Sequence, residues 1–146
     1  MERYRHRQFA GFILGGLLVA GAACAVAGAL DPEARWVLLL AVVFITLALL
    51  FNSLTVRVTD KHLEWWFGPG FLRKRVLLAA LGGVEVTETR LIEGWGVHLT
   101  SRGWLYNISG FGAVLVTRED GERFMLGSDE PEALAEAIRS ALQATR

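Results

Sequence analysis

Residues 8–30 read QFAGFILGGLLVAGAACAVAGAL, residues 31–35 read DPEAR, and residues 36–56 read WVLLLAVVFITLALLFNSLTV. The two long segments contain no charged residue, and only the short DPEAR segment separates them. At a rise of ~1.5 Å per residue, each segment as a helix is long enough to cross a hydrocarbon core of ~30 Å. The short connection returns the second helix beside the first. We therefore predict a transmembrane α-helical hairpin, with spans over about 9–30 and 36–53.

The distribution of charge around this hairpin predicts its orientation. The N-terminal tail holds three arginines against one glutamate, whereas the connecting loop holds two carboxylates against one arginine. Because Lys and Arg resist translocation, we expect the tail to be cytoplasmic and the loop to face outward. A cleaved signal peptide is the alternative for the first segment, since AVAGA at 25–29 imitates a cleavage site. Its apolar region would be shorter, however, and no second apolar segment would follow at once.

The first span carries small residues four apart, a spacing that lets helix backbones approach closely. They are Gly11, Gly15, Gly16, Ala20, Gly21 and Ala25. The second span is bulky, so we expect the small side of the first helix to pack on it. Gly15 and Gly16 cannot face the same way, so small surface is left for a membrane-protein partner or a second copy; packing within the hairpin is the alternative. The absence of charge inside either span argues against a transporter or channel.

From Leu54 onward the sequence alternates with period two, the pattern of β-strands. The predicted strands cover 54–59, 62–67, 71–78, 84–89, 97–100, 104–108, 113–117 and 123–126. A terminal helix follows, with Asp129 as its N-cap and with Leu134, Ile138 and Leu142 four apart on one face. Seven or eight antiparallel strands and one amphipathic helix predict a small barrel or curled sheet that the helix caps.

Three segments carry a resemblance to a known family. They are VTDKHL at 58–63, GPGFLRKR at 68–75 and LGGVEV at 81–86. Together they resemble the bacterial PH-like domains that follow one or two membrane helices. The resemblance covers roughly residues 54–142, and it implies a PH-type split barrel with a C-terminal capping helix. It implies no reaction, because this fold hosts many binding roles.

The hairpin and the resemblance together divide the chain. Residues 1–53 are predicted to be a basic tail and the membrane hairpin, and residues 54–146 a cytoplasmic PH-like domain. We expect a multi-pass protein of the bacterial inner (cytoplasmic) membrane, with its N-terminus and its C-terminal domain in the cytoplasm. The single cysteine, Cys24, allows no internal disulfide, as is usual in a reducing compartment.

The sequence offers little for catalysis or for metal binding. Asp60, His62 and Glu64 alternate on one predicted strand, which suggests a metal site, but no closed ligand set accompanies them. We expect Asp60 to lie in a turn and Glu64 to be solvated. The serines lack the spacing of a nucleophile elbow. We therefore predict a protein that is not an enzyme and that has no metal and no cofactor.

An aromatic and basic hairpin over residues 65–75 is the first candidate for binding. Its candidate residues for contact with lipid are Trp66, Phe71, Arg73, Lys74 and Arg75. Leu63, Trp65 and Phe67 share the other strand face and are predicted to be core. Past residue 56 the chain has eleven Lys and Arg against twelve Asp and Glu, so we expect no general basic face and no nucleic-acid partner. Contact with anionic lipid and an ordinary solvated hairpin remain alternatives.

Trp95 is the candidate for a protein interface, because it lies in a loop between two glycines, where exposed aromatic side chains anchor partners. Trp104, Tyr106 and Ile108 alternate and are predicted to fill the barrel. The sequence therefore predicts a non-enzymatic, membrane-anchored adaptor whose PH-like domain presents a protein-interaction surface at the inner leaflet. The alternative is a module that senses anionic lipid through the 65–75 hairpin.

Overall fold

A computed structural model describes residues 1–145 as nine β-strands and three α-helices. The elements are β1 (Glu2–Phe9), α1 (Gly11–Leu30), α2 (Val37–Leu50), β2 (Ser53–Thr59), β3 (His62–Phe67), β4 (Phe71–Leu77), β5 (Leu81–Glu88), β6 (Gly96–Thr100), β7 (Gly103–Asn107), β8 (Gly112–Arg118), β9 (Arg123–Gly127) and α3 (Pro131–Thr145). Short 3₁₀ turns at Pro32–Ala34, Leu78–Ala80 and Leu91–Glu93 join some of them.

The two N-terminal helices form a hairpin, but they differ in length. Helix α1 has 20 residues and is long and apolar enough to cross a membrane, the one such helix within residues 1–145. Helix α2 has 14 residues, which at ~1.5 Å each span only ~21 Å. The span predicted over 36–53 is therefore too long at both ends. Trp36 precedes the helix, and the chain turns at Phe51 to enter β2.

The hairpin is inserted into the first sheet, whose strand order is β1-β2-β3-β4. The prediction of a basic tail at the N-terminus is wrong, because these residues form the strand β1. Strand β1 pairs antiparallel with β2, from Glu2 opposite Thr59 to Phe9 opposite Ser53. Beyond the strands, the Ala10 amide donates to the Asn52 carbonyl at 2.9 Å. The chain therefore leaves the sheet for α1 and returns from α2 at neighbouring points.

The second sheet has the order β5-β8-β9-β7-β6. Its β7–β9 pair is parallel, so the expected all-antiparallel arrangement of seven or eight strands is wrong in number and in this one pairing. Helix α3 begins at Pro131, one residue later than an Asp129 cap requires. Asp129 instead contacts the ring of His6 on β1, with 2.6 Å between the carboxylate Oδ1 and Nε2.

Both sheets and α3 enclose one apolar core. Leu63, Trp65 and Phe67 are buried as predicted. Trp65 joins the sheets, because its ring centroid lies 5.2 Å from that of Tyr106 and 5.0 Å from that of Phe124. Each large side chain buried in this way contributes ~1.5–3 kcal/mol to folding. The architecture is two packed β-sheets and a C-terminal helix, with a helical hairpin inserted after the first strand.

Candidate functional site

A row of charged residues crosses the outer face of the first sheet. The strand register sets Arg5 opposite Arg57, Arg57 opposite Glu64, and Glu64 opposite Arg75. Residues directly opposite on neighbouring strands point to the same face. All four strands therefore contribute to one continuous surface, which we call the arginine face and define by Arg5, Arg7, Arg57, Glu64, Trp66, Arg73 and Arg75.

Glu64 is the buried centre of the arginine face, and the expectation that it is solvated is wrong. Its side chain is only 4% exposed, and it forms ion pairs with Arg57, with Arg73 Nη2 at 3.3 Å and with Arg75 Nε at 2.8 Å. Burial alone would raise the pKa of Glu64. The hydrogen bond and charge of Arg57, with the charge of Arg75 and the hydrogen bond from Arg73, outweigh burial and lower that pKa below its ordinary value.

Trp66 lies beside Glu64 and is covered by cations. The guanidinium carbons of Arg73, Arg57 and Arg5 lie 4.7, 5.7 and 5.9 Å from its ring centroid. Trp66 is therefore half-buried rather than the freely exposed aromatic we expected. Cation–π attraction holds these arginines over the ring and restricts their conformations.

The charge balance of the arginine face overturns the expectation of no basic face. Strand β1 directs Arg5 and Arg7 onto the same surface as Arg57, Arg73 and Arg75. Counting charges only past residue 56 omitted β1. The missed signal is the alternation in Arg-Tyr-Arg-His-Arg-Gln at 3–8, a strand pattern with one cationic face.

The predicted lipid-binding hairpin does not form a single surface. Trp66, Arg73 and Arg75 belong to the arginine face, whereas Lys74 lies opposite Trp65 and so points to the other side of the sheet. Phe71 packs edge-on against Phe51, with ring centroids 5.4 Å apart, and is 37% exposed.

The turn of this hairpin lies against the end of α2. The Gly68 amide donates to the Ser53 carbonyl at 2.8 Å. Gly68 has φ +46°, and a Cβ there would lie 2.5 Å from the Leu50 carbonyl oxygen, so the close approach requires glycine. The turn and Phe71 are therefore the part of β3–β4 nearest the helical hairpin.

Trp95 connects the second sheet to the start of α1. Its indole Nε1–H donates to the Gly110 carbonyl at 3.2 Å, and its ring meets that of Phe12 edge-on at 5.6 Å. The side chain keeps 40% of its surface exposed. Trp95 therefore has an intramolecular role, and the exposed remainder keeps it available as the predicted interface candidate.

The small residues of α1 divide into two groups. Gly21 and Gly28 are buried in the seam with α2, where Ala41 and Ala48 are also buried. A Cβ on Gly28 would lie 2.7 Å from the Leu38 side chain, so this seam needs glycine. In the second group, an added Cβ would have no neighbour within 4 Å; these residues are Gly11, Gly15 and Gly16. Ala20 and Ala25 are half-buried. The small surface that we expected to be surplus therefore lies at the N-terminal end of α1.

Trp104 does not fill the barrel, contrary to the prediction. It shares the strand face of Tyr106, which is buried, but it is itself 49% exposed. The core ends at Tyr106, so Trp104 lines the mouth of a groove between the sheets. The alternation of residues along a strand predicts which face of the sheet a side chain lies on. It does not predict how far the opposing sheet extends to cover that face.

The residues considered for metal binding are distributed among other contacts. Asp60 binds the amino terminus and Arg3, and Glu64 binds arginines. Within the described part of the chain, no group of three or more His, Cys, Asp and Glu residues is arranged to hold a metal ion.

Known proteins give no further guide. No family model, no curated protein and no solved structure matches this chain. The candidate site therefore depends on the geometry of the arginine face itself.

Proposed function

We propose that this protein is a non-enzymatic, membrane-anchored adaptor whose β domain, PH-like in character, presents a protein-interaction surface at the inner leaflet of a bacterial inner membrane. The observation that carries the proposal is the arginine face. This face contains several exposed guanidinium groups but only one carboxylate, the buried side chain of Glu64. Guanidinium groups bind carboxylates in bidentate geometry, and the partner that we propose is a protein with an acidic segment. Arg and Trp are also the residue types that dominate interface energetics.

The helical hairpin supports the anchoring. Its outward side chains are apolar all round, including Phe12 at 81%, Leu39 at 70% and Val42 at 62% exposure, a surface that water does not favour. Because β1 and β2 pair with each other, a chain that crosses the membrane in α1 must return in α2. Helix α2 is short for a span, and local thinning of the bilayer accommodates such a mismatch. The arginines on the sheet side favour a cytoplasmic β domain.

The test is photo-crosslinking of the full-length protein in living bacterial cells. A photo-reactive phenylalanine replaces Arg5, and in a matched control it replaces Arg90, an exposed residue outside the arginine face. We expect a discrete protein adduct from position 5 that is absent from position 90. Adding Arg73→Gln should reduce the yield of that adduct. Equal adducts from both positions, or none from position 5, would contradict the proposal.

Contact with anionic lipid is the second candidate function. The turn at Gly68 lies against the end of α2, so Phe71 and Arg73 are close to the depth at which lipid headgroups would surround the hairpin. Aromatic and basic side chains both favour that region. A photo-reactive residue at position 71 should then yield phospholipid adducts, detected by mass spectrometry. Protein adducts alone from position 71 would count against lipid contact.

A membrane-protein partner or a second copy of the chain is also proposed for α1. Gly11 and Gly15 are four apart with open space beside them, the arrangement that allows close helix approach. Replacing Gly15 with Leu should abolish any dimer seen by crosslinking in membranes. A Leu at Gly28 is not a control, because it would disrupt the hairpin itself. The suitable control is Ala27→Leu, at an exposed position of the same helix that lies about 120° away from Gly15 around the helix axis.

A further inference from the structure

A groove separates the free edge of the first sheet from the second sheet. It runs between β4 on one side and β6, β7 and the β8–β9 turn on the other, and its volume is about 710 Å³. Its inner wall holds the ring of Trp65, which stacks on Phe124 and meets Tyr106 edge-on. The remaining apolar lining consists of Leu72, Val76, Val97, Leu99 and Trp104. Ligand sites in proteins have this size and this predominantly apolar lining.

One polar group in the groove wall lacks a partner. Trp65 is 2% exposed, and its indole Nε1–H has no acceptor among residues 1–145. Buried indole N–H groups are normally satisfied, because leaving a buried donor unpaired is costly. Since Trp65 lines the groove, an oxygen atom bound there is the natural source of an acceptor.

The rim of the groove is cationic. The charged residues that line it are Lys74, Arg75, Arg118, Glu122 and Arg123. Arg118 is paired with Glu122, whereas Lys74 and Arg123 have no carboxylate partner within residues 1–145. The rim is therefore complementary to an anionic group above an apolar interior.

The groove adjoins a second apolar cavity at the base of the helical hairpin. This cavity, of about 520 Å³, is lined by Ile13 and Leu17 of α1 and by Leu47 and Leu50 of α2. Leu72 and Val97 line both spaces. Apolar lining therefore extends from the hairpin, across these two shared side chains, to the aromatic wall.

We infer that the groove holds an acyl chain of an anionic membrane lipid, with the headgroup at Lys74 and Arg123. The chain would extend past Leu72 and Val97 toward the hairpin and would contact the aromatic rings. An ester carbonyl beside the headgroup would accept from the Trp65 indole N–H. This inference rests on the proposed membrane anchoring, and it differs from surface docking because the lipid lies between the two sheets. The specificity comes from the charge of the rim, to which Arg75 of the arginine face also contributes.

The test uses the full-length protein in nanodiscs that contain phosphatidylglycerol with a diazirine in its acyl chain. After irradiation, peptide mapping locates the labels. We expect labels on α1 and α2 from the surrounding bilayer and, separately, labels on Val97, Tyr106 or Phe124 in the groove. The double variant Lys74→Glu, Arg123→Glu should reduce groove labelling by about tenfold or more and leave hairpin labelling unchanged.

Two controls make the outcomes distinct. Lys61→Glu reverses an exposed charge that does not line the groove, and it should leave groove labelling intact. A diazirine phosphatidylcholine should label the hairpin but label the groove less than phosphatidylglycerol does. Labels confined to α1 and α2 would overturn the groove inference and leave the anchoring in place. Absence of labels from both the hairpin and the groove would overturn the anchoring and this inference together.

Discussion

Two adjacent tryptophans on β3 show how differently the two faces of one sheet are built. Trp65 points inward, is 2% exposed, stacks on Phe124 and meets Tyr106 edge-on. Trp66 points outward, is half-buried and lies under three guanidinium groups. The inner face is held by apolar burial and the outer face by charge. The comparison teaches that the inner face contributes most to stability, whereas the outer face contributes less and leaves guanidinium groups exposed.

The largest expected effect tests the inner face. Trp65→Ala removes a fully buried indole between the sheets and should lower the free energy of unfolding by about 3–5 kcal/mol. Trp104→Ala is the matched control, because Trp104 is 49% exposed, and it should cost about 1 kcal/mol or less. Denaturant unfolding of the full-length chain in detergent measures both. A small loss for Trp65→Ala would mean that the core does not depend on this contact.

A smaller effect is expected at the charged centre of the outer face. Glu64→Gln removes the carboxylate that Arg57, Arg73 and Arg75 share, and it should lower the free energy of unfolding by about 1.5–3 kcal/mol. The partial exposure of the arginines keeps the loss below that of a fully buried ion pair. Gln at Glu85, an exposed residue of β5, is the control and should change stability little.

The contribution of Glu64 to the free energy of unfolding should also depend on pH. Because the folded protein holds the pKa of Glu64 below its ordinary value, its contribution is fully present above the unfolded pKa of ~4.3. The contribution is lost as the pH falls through the lowered, folded pKa. The stability difference between wild type and Glu64→Gln should therefore shrink in acid. Urea unfolding between neutral pH and the acid range measures this difference, and a gap that widens in acid would contradict the assignment.

Trp66→Ala should have a still smaller effect than Glu64→Gln. Cation–π contacts at exposed sites contribute about 0.5–1 kcal/mol each. Because the three cations share one ring, their contributions do not add fully, and the combined loss should be about 1–2 kcal/mol. Trp66→Phe keeps an aromatic face and should lose less. Thermal unfolding of wild type and both variants measures these differences in stability. Equal losses of stability for Trp66→Ala and Trp66→Phe would show that the cation–π contacts contribute nothing.

The smallest expected change in stability separates binding from folding. Arg73→Gln, at a half-exposed guanidinium, should change the free energy of unfolding by only about 1 kcal/mol or less, yet it should reduce the partner adduct from position 5. Arg123→Gln, on the groove rim, should leave that adduct unchanged. A loss of adduct in both variants would mean that the two faces do not act independently.

Local patterns in the sequence predicted much of this fold. Strand β3 is predicted with the observed bounds, and β2, β4, β8 and β9 within one residue at either end, because period-two alternation depends only on neighbouring residues. The burial of Leu63, Trp65 and Phe67 follows from the same pattern. The parallel pairing of β7 with β9 could not be read in this way, since it joins strands that are not consecutive.

The arginine face illustrates why a site is harder to predict than a strand. Glu64 is buried because arginines from β2 and β4 contact it. The local sequence pattern of β3 does not predict these contacts with neighbouring strands. Strand β1 was missed because its arginines resemble the basic flank of a membrane segment. The short α2 was missed because residues 51–56 are uncharged although they turn and enter a strand.

The insertion of the hairpin between β1 and β2 imposes an order on biosynthesis. The ribosome completes β1 first, but its partner strand emerges only after both helices have been made. Until then β1 is an unpaired edge, a state that invites aggregation or proteolysis. A nascent chain whose hairpin fails to close therefore cannot complete the first sheet. Closure of the helical hairpin and completion of the first sheet therefore become one event.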